Sequence, residues 1–367
     1  MNNTMRTLLL SLIIMALALS CDNQRIDNIK SKTAEIADSA KIPLIQVAFK
    51  NQKEFISFEF SQSDTIIASL DENSVFQAAS LSKPIFSYIV FLLADRGVID
   101  LDVPLAEYTS IHRFENKEWA SKITARTVLT HKTGLPNWAT SPSSEEWPSS
   151  VVKFKFRPDS AFSYSGEGYY LLQRAVEDIT GKSLENLAKE EVFTPFGMEH
   201  TSYEWKEEYE TLAADGFNRE GESKGKGRHP RANSAYTLRT TARDYSKFLD
   251  VLMDGQGLKK ETHQQMLSPV TQAVRFAGKP RECDSAIFWA LGVGIEKDTE
   301  FGDVIFHWGD NGNFKALFVI VPQKRSHLVY FTNSARGHDI IDQMVNLFFS
   351  PKSPFKIGPW VNQPEPS

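Results

Sequence analysis

The stretch FQAASLSKPIFSYIVFLL, residues 76–93, decides how the chain is read. From Ile85 to Leu93 it is apolar on nearly every face, and a helix of that kind must be buried all round. Pro84 locates its start. Proline is tolerated only in the first helical turn, where its missing N–H had no partner anyway, so the spacing predicts a helix beginning near Ser80. Ser80 then sits at the positive end of a buried helix, and Lys83, three residues on, shares its face. A hydroxyl beside an amine in that field has the elements of an activated nucleophile. The plainer alternative is a serine that caps the helix next to a solvated lysine.

Spacing alone does not choose between these. Ser-x-x-Lys recurs at Ser150 and Lys153, Ser223 and Lys226, and Ser353 and Lys356, none of them ahead of a long apolar run. The segment GESKG, residues 221–225, also matches a G-x-S-x-G nucleophile elbow. That elbow needs an apolar strand before it and a helix after it, and here both flanks are hydrophilic.

On either side of this helix the pattern changes. PLIQVAFK and EFISFEF, joined by a short polar turn, read as a hairpin; FWALGVGIE, DVIFHWG, ALFVIVP and HLVYFTNS read as strands near the other end. Between them GYYLLQRAVEDITG and TARDYSKFLDVLMDG carry apolar residues at helical spacing and stop at Gly181 and Gly255. Thr241 and Asp244 have the spacing of a capping box. Strands at both ends with helices between them imply an α/β (α+β) fold: one antiparallel sheet flanked by helices, and an all-helical lobe. The sheet lobe is placed at about 41–95 and 256–350 and the helical lobe at about 96–255, with a polar tether at 22–40 and a tail at 351–367.

Composition removes several function classes. The chain has 367 residues, 41% hydrophobic and 24% charged, and a net charge of −5 with basic residues scattered, which leaves no electrostatic footprint for nucleic acid. Residues 1–21 carry one arginine, an apolar run from Leu8 to Leu19, then Ser20 and Cys21. This is the layout of a secretory signal and is similar to a lipoprotein signal, which implies lipid attachment at Cys21 and a bacterial cell-envelope location. Only Cys283 remains after it, so no internal disulfide is available. The histidines show no metal-ligand spacing and no cofactor is implied. His131 reads as a structural residue of its loop, Trp138, Trp147 and Trp289 as core aromatics with lining of the cleft as their alternative role, and Cys283 as unreactive.

Four segments in order, residues 75–108, ITARTVLTHKTGLPNW at 123–138, residues 162–203 containing YSG, and FHWGDNGNFKALFVIVP at 306–322, make a more specific pattern. From about Pro43 to Asn333 the chain resembles the serine hydrolases related to class C β-lactamases and penicillin-binding proteins. The resemblance implies Ser80 as nucleophile, Lys83 as its partner amine and Tyr164 as general base. It implies an oxyanion hole from the N–H groups of Ser80 and Asp310, with Gly309 allowing close approach of substrate to the strand. Two positions depart from the family pattern. His307 stands where lysine is common, and a histidine, with a pKa of about 6.5, is mostly neutral at pH 7. Gly166 stands where asparagine is common. Both departures weaken recognition of a β-lactam or of a peptide ending in a free carboxylate. The expectation is a hydrolase of small-molecule or peptide substrates with an ester or amide carbonyl. The alternatives are a β-lactamase or D-alanyl-D-alanine carboxypeptidase, or a non-catalytic, membrane-tethered binder of cell-wall fragments.

Overall fold

Strands from the two ends of the chain build one sheet, and the computed structural model describes residues 24–62, 71–276 and 279–364. In chain order these are β1 (Leu44–Lys50), β2 (Phe55–Ser61), β3 (Thr271–Gln272), β4 (Ile287–Trp289), β5 (Gly294–Thr299), β6 (Gly302–Asp310), β7 (Lys315–Val321) and β8 (Ser326–Thr332). They lie in the order β2-β1-β8-β7-β6-β5-β4-β3, antiparallel throughout. The two ends join at β1 and β8, where Ile45 faces Thr332 and Lys50 faces His327. The helices that frame the sheet and the site are α1 (24–39), α2 (Ser82–Asp95), α3 (Gly166–Thr180), α4 (Ala242–Asp254), α5 (Ile341–Phe349) and α6 (Ile357–Val361).

Alternation along the strands sorts side chains between two cores. Ile45, Val47 and Phe49 of β1 join Ile29 and Ala37 of α1 and Met344, Val345 and Phe348 of α5 on one face. Leu44 and Ala48 belong to the other core, with Tyr245, Phe248 and Leu249 of α4. Helix α2 lies in this second core, and every residue from Ser82 to Leu93 is buried. Its Tyr88 meets Phe248 of α4 and its Phe86 meets Tyr169 of α3, so it runs between the sheet layer and the helical lobe, as its unbroken apolar surface requires.

Both long amphipathic helices stop where their glycines stand, Gly181 at φ 66° and Gly255 at φ 68°. Thr241 caps α4 by accepting from the N–H of Asp244. The carboxylate of Asp244 instead accepts from the N–H of His200 at 2.7 Å and from Thr201, so the capping box is completed on one side only.

Four stretches differ from their sequence reading. The tether at 22–40 contains α1, whose Ile29, Thr33 and Ala37 are buried against the sheet. Composition hid a helical repeat of small and apolar residues. The tail at 351–367 contains α6, with Phe355, Ile357, Trp360 and Val361 in the core and the Trp360 indole donating to the carbonyl of Ala273 at 2.9 Å. Helix α4, assigned by position to the helical lobe, packs on β1 and β8. FWALGVGIE is two strands, β4 and β5, because Gly292 at φ 107° turns the chain between them. Cys21 lies outside the described residues. No helix among the described residues is long and apolar enough to cross a membrane.

Candidate active site

The site begins with a strained turn. Ala79–Leu81 form a 3-10 turn leading into α2, and Ala79 takes φ 49°, a left-handed conformation that non-glycine residues rarely adopt. Four bonds hold it. Ser82 Oγ donates to the carbonyl of Ala79 at 2.6 Å and accepts from the N–H of Leu238 at 3.0 Å. The hydroxyls of Tyr245 and Tyr203 donate to the carbonyls of Leu81 and Ser82 at 2.8 and 2.7 Å. Ser80 is thereby carried out of the core to border two cavities, one of about 790 Å³ and one of about 250 Å³.

Lys83 follows one helical turn later. Its Nζ is 3.1 Å from Ser80 Oγ, and it donates to the carbonyl of Ala235 at 2.9 Å. Among the described residues no carboxylate offsets its burial, which lowers its pKa well below the ordinary lysine value. Tyr164, reached from 81 residues further along, comes to the same place: the ammonium nitrogen lies 4.6 Å from its ring centre. Burial raises the pKa of this phenol well above 10, and the nearby Ser80 hydroxyl only partly opposes that. The arrangement holds a readily neutral amine and a protonated phenol beside one hydroxyl. Such a set can take a proton from the hydroxyl and return it to another atom.

Two histidines support it from beneath. His131, at φ 54°, accepts from the N–H of Ser165 through Nδ1 at 3.1 Å, and its ring lies 4.3 Å from that of Tyr164. It orients the Tyr-Ser-Gly loop, and burial keeps it neutral. His307 on β6 bonds the carbonyl of Trp308 through Nδ1 at 2.8 Å, and burial pushes its pKa down to about 3. Its ring is wholly buried and borders neither cavity, so it lies under the site and brings no cation to the cleft.

Gly309 and Asp310 complete the rim. A Cβ on Gly309 would lie 2.3 Å from the carbonyl oxygen of Ala78, so only glycine lets β6 close on the turn that carries Ser80. Asp310 borders both cavities. Burial works against its ionisation, but Lys315, His338 and the N–H of Gly312 together outweigh this and hold its carboxyl below the usual range. Gly166 borders neither cavity. A Cβ there would lie 2.3 Å from the indole of Trp138, which occupies the space of an asparagine side chain. Trp138 itself borders the smaller cavity, while Trp147 and Trp289 are core residues as expected. For Trp138 the alternative role, lining the cleft, is the one observed; sequence reasoning missed Asn137, Gln77 and Tyr236 as lining residues. Only the adjacency of Trp138 to a glycine-rich helix start, which the fold creates, selects that role. Ser223 is exposed and accepts from the N–H of Gly225, and its neighbours Glu222 and Lys224 pair with each other. Cys283 accepts a bond from Gln363 at 2.9 Å and is away from both cavities.

A sheet flanked by helices, with a helical lobe and a serine, a buried lysine and a tyrosine meeting at a cleft, is the architecture of the penicillin-recognising serine hydrolases. The Beta-lactamase family model matches residues 47–344, and the chain belongs to that family, whose members act on ester and amide carbonyls. It is 29% identical over 166 residues to the D-alanyl-D-alanine-carboxypeptidase/endopeptidase AmpH of Escherichia coli, a match covering 42% of this chain and 43% of that protein. It is 21% identical to Penicillin-binding protein 4* of Bacillus subtilis, over 72% of this chain and 62% of that one. The match thus spans less than two thirds of either relative. Among solved structures, a class C beta-lactamase mutant superposes with a TM-score of 0.72 at 16% identity, covering 89% of this chain and 96% of that one. A D-stereospecific amidohydrolase from Streptomyces superposes with a TM-score of 0.70 at 16% identity, covering 87% and 98%. At that identity these two likenesses establish the fold.

Proposed function

We propose that the protein hydrolyses ester or amide bonds through an acyl-enzyme on Ser80, with Lys83 and Tyr164 moving the protons. The observation that carries this reading is the Lys83 amine, buried and 3.1 Å from the Ser80 hydroxyl. Burial favours the neutral amine, which accepts the Ser80 proton as Oγ bonds the substrate carbonyl carbon. The carbonyl electron pair moves to oxygen, where the N–H groups of Ser80 and Asp310 are assigned to receive it, each contributing about 3 kcal/mol to the transition state. As the bond to the leaving group breaks, the Tyr164 hydroxyl supplies a proton and recovers it from Lys83. Water then attacks the acyl-enzyme by the same route in reverse, releasing the acid and restoring Ser80. No cofactor enters this scheme. Anchoring through a lipid on Cys21, and so a cell-envelope location, belongs to the same proposal.

The missing motif cation and the Trp138-filled space at Gly166 favour esters or amides over β-lactams. One observation favours a β-lactamase or D-alanyl carboxypeptidase instead: Lys155 and Arg275 border the larger cavity on the Tyr164 side. Rates on nitrocefin and on short p-nitrophenyl esters separate the two readings, with the esters expected to be faster. A fluorophosphonate probe tests the enzyme itself. Ser80→Ala is expected to abolish labelling while Ser223→Ala retains it; labelling that survives the first change rejects the assignment of Ser80, and a parent protein that takes no label leaves the non-catalytic binder.

A further inference from the structure

We infer that the smaller cavity selects the acyl part of the substrate by stacking a single aromatic ring on Trp138, so that the preferred substrates are arylacyl esters or amides. This rests on the serine-hydrolase reading above. Tyr164 borders the larger cavity and not the smaller one. A leaving group protonated by Tyr164 must lie on that side, which directs the acyl part to the opposite side of Ser80.

That side sets an aromatic wall among polar groups, Lys224, His229 and Asp310 included. Trp138 and Tyr236 meet edge to face, ring centres 5.4 Å apart, and Phe314 joins them in the wall. Of the amides beside them, Gln77 and Asn311 are engaged with each other, and Asn137 Oδ1 accepts from the N–H of Gly166 at 2.9 Å. Gln77 accepts from Asn311 Nδ2 at 2.6 Å and donates to the carbonyl of Lys226 at 2.9 Å. At about 250 Å³ the cavity is smaller than the roughly 300–1,000 Å³ of a drug-sized pocket, so one ring on a short linker fills it.

Trp138 is also fixed in place before any ligand arrives. The carbonyl of Asn137 accepts from the N–H groups of Gly166 and Glu167 at 3.1 and 3.0 Å. On its other side the N–H of Ala139 donates to Glu167 Oε1 at 3.0 Å. Trp147 Nε1 reaches the same oxygen at 2.7 Å, and Arg113 pairs with the other at 3.0 Å. The indole rests on Gly166, where any side chain would collide with it. A glycine at 166 and a tryptophan at 138 therefore act as one specificity element, with a preorganised ring in place of a hydrogen-bonding amide.

The test compares kcat/KM for p-nitrophenyl phenylacetate and p-nitrophenyl acetate. The ratio is expected to fall about tenfold in Trp138→Leu and to stay within about threefold of the parent in Trp138→Phe, since the leucine keeps bulk without a ring. A ratio unchanged in Trp138→Leu, or lost equally in Trp138→Phe, overturns the inference. Thermal unfolding supplies an independent readout: Gly166→Asn is expected to lower Tm in the parent and by less in the Trp138→Leu background. Equal losses in both overturn the shared occupancy. If Ser80 takes no fluorophosphonate and neither ester is cleaved, the serine-hydrolase reading fails. If acetate is cleaved and the ratios are flat, only this inference falls.

Discussion

Ser80 with Lys83 and Ser223 with Lys226 share one spacing and occupy opposite environments. The first pair stands on a clamped turn under the cleft, its amine wholly enclosed and aimed at the hydroxyl. The second lies in an exposed loop, where Lys226 Nζ turns away to the carbonyl of Glu210. Desolvation separates them. An amine in water keeps its proton at neutral pH, whereas burial in a core shifts the balance toward the neutral amine, the form that can act as a base. Short motifs in this chain acquire chemistry from burial, which the flanking apolar helix provides and the loop does not.

Removing the buried amine is the most severe way to break this contrast. Lys83→Met is expected to reduce ester hydrolysis by about 10²–10⁴-fold, the usual contribution of a positioned base. In the parent enzyme kcat/KM should fall as pH drops through the lowered pKa of Lys83, and the variant should lack that limb. Stability carries the same signature. Between its lowered native pKa and about 10.4 the unfolded chain binds a proton at Lys83 that the native state does not, so parent stability rises with pH relative to Lys83→Met. The slope approaches about 1.4 kcal/mol per pH unit, the Lys83 contribution being fully present above about pH 10.4 and lost progressively as pH falls toward the native value. Denaturant melts of both proteins across this range check it. A pH-independent difference would mean that Lys83 remains charged in the core.

A smaller effect follows from moving the turn instead of emptying it. In Gly309→Ala the new methyl lies 2.3 Å from a main-chain oxygen of Ala78, and neither backbone can yield without parting β6 from the turn. A loss of about 1–3 kcal/mol in unfolding free energy is expected, with a fall in kcat larger than any change in KM, because the two assigned oxyanion donors are carried on the separated segments. Retention of both parent stability and kcat would show that β6 and the turn are not held in register by this glycine.

The same physics explains what the sequence disclosed. The buried helix, the hairpin, most long strands and the glycine-stopped helices were legible because each carries a local signal: an apolar run, a period, or a stop. Ser80, Lys83 and Tyr164 were legible as motifs in order. Helix α1 and helix α6 were not, since their apolar residues are sparse among polar and proline-rich neighbours and are buried only by a sheet assembled from distant strands. Nor was the placement of His307 beneath the site, because alternation gives the face of a strand but not what covers it. The contact of Trp138 with Gly166 was hidden for a similar reason: the two are 28 residues apart, and what a glycine admits cannot be read without the neighbour that fills it.

The smallest expected effect concerns the exposed pair itself. Lys226 lends the site its main chain, its carbonyl accepting from Gln77 at 2.9 Å and from the buried Arg239 at 2.7 Å, and Gln77 lies three residues before Ser80. The side chain makes one bond at the surface, and removing an exposed group of that kind changes stability by no more than about 0.5 kcal/mol. Lys226→Ala is therefore expected to leave Tm within about two degrees and fluorophosphonate labelling of Ser80 at the parent rate. A loss of labelling approaching that of Lys83→Met would place an ammonium from this loop in the cleft, and the contrast between a buried amine and a solvated one would no longer account for which serine reacts.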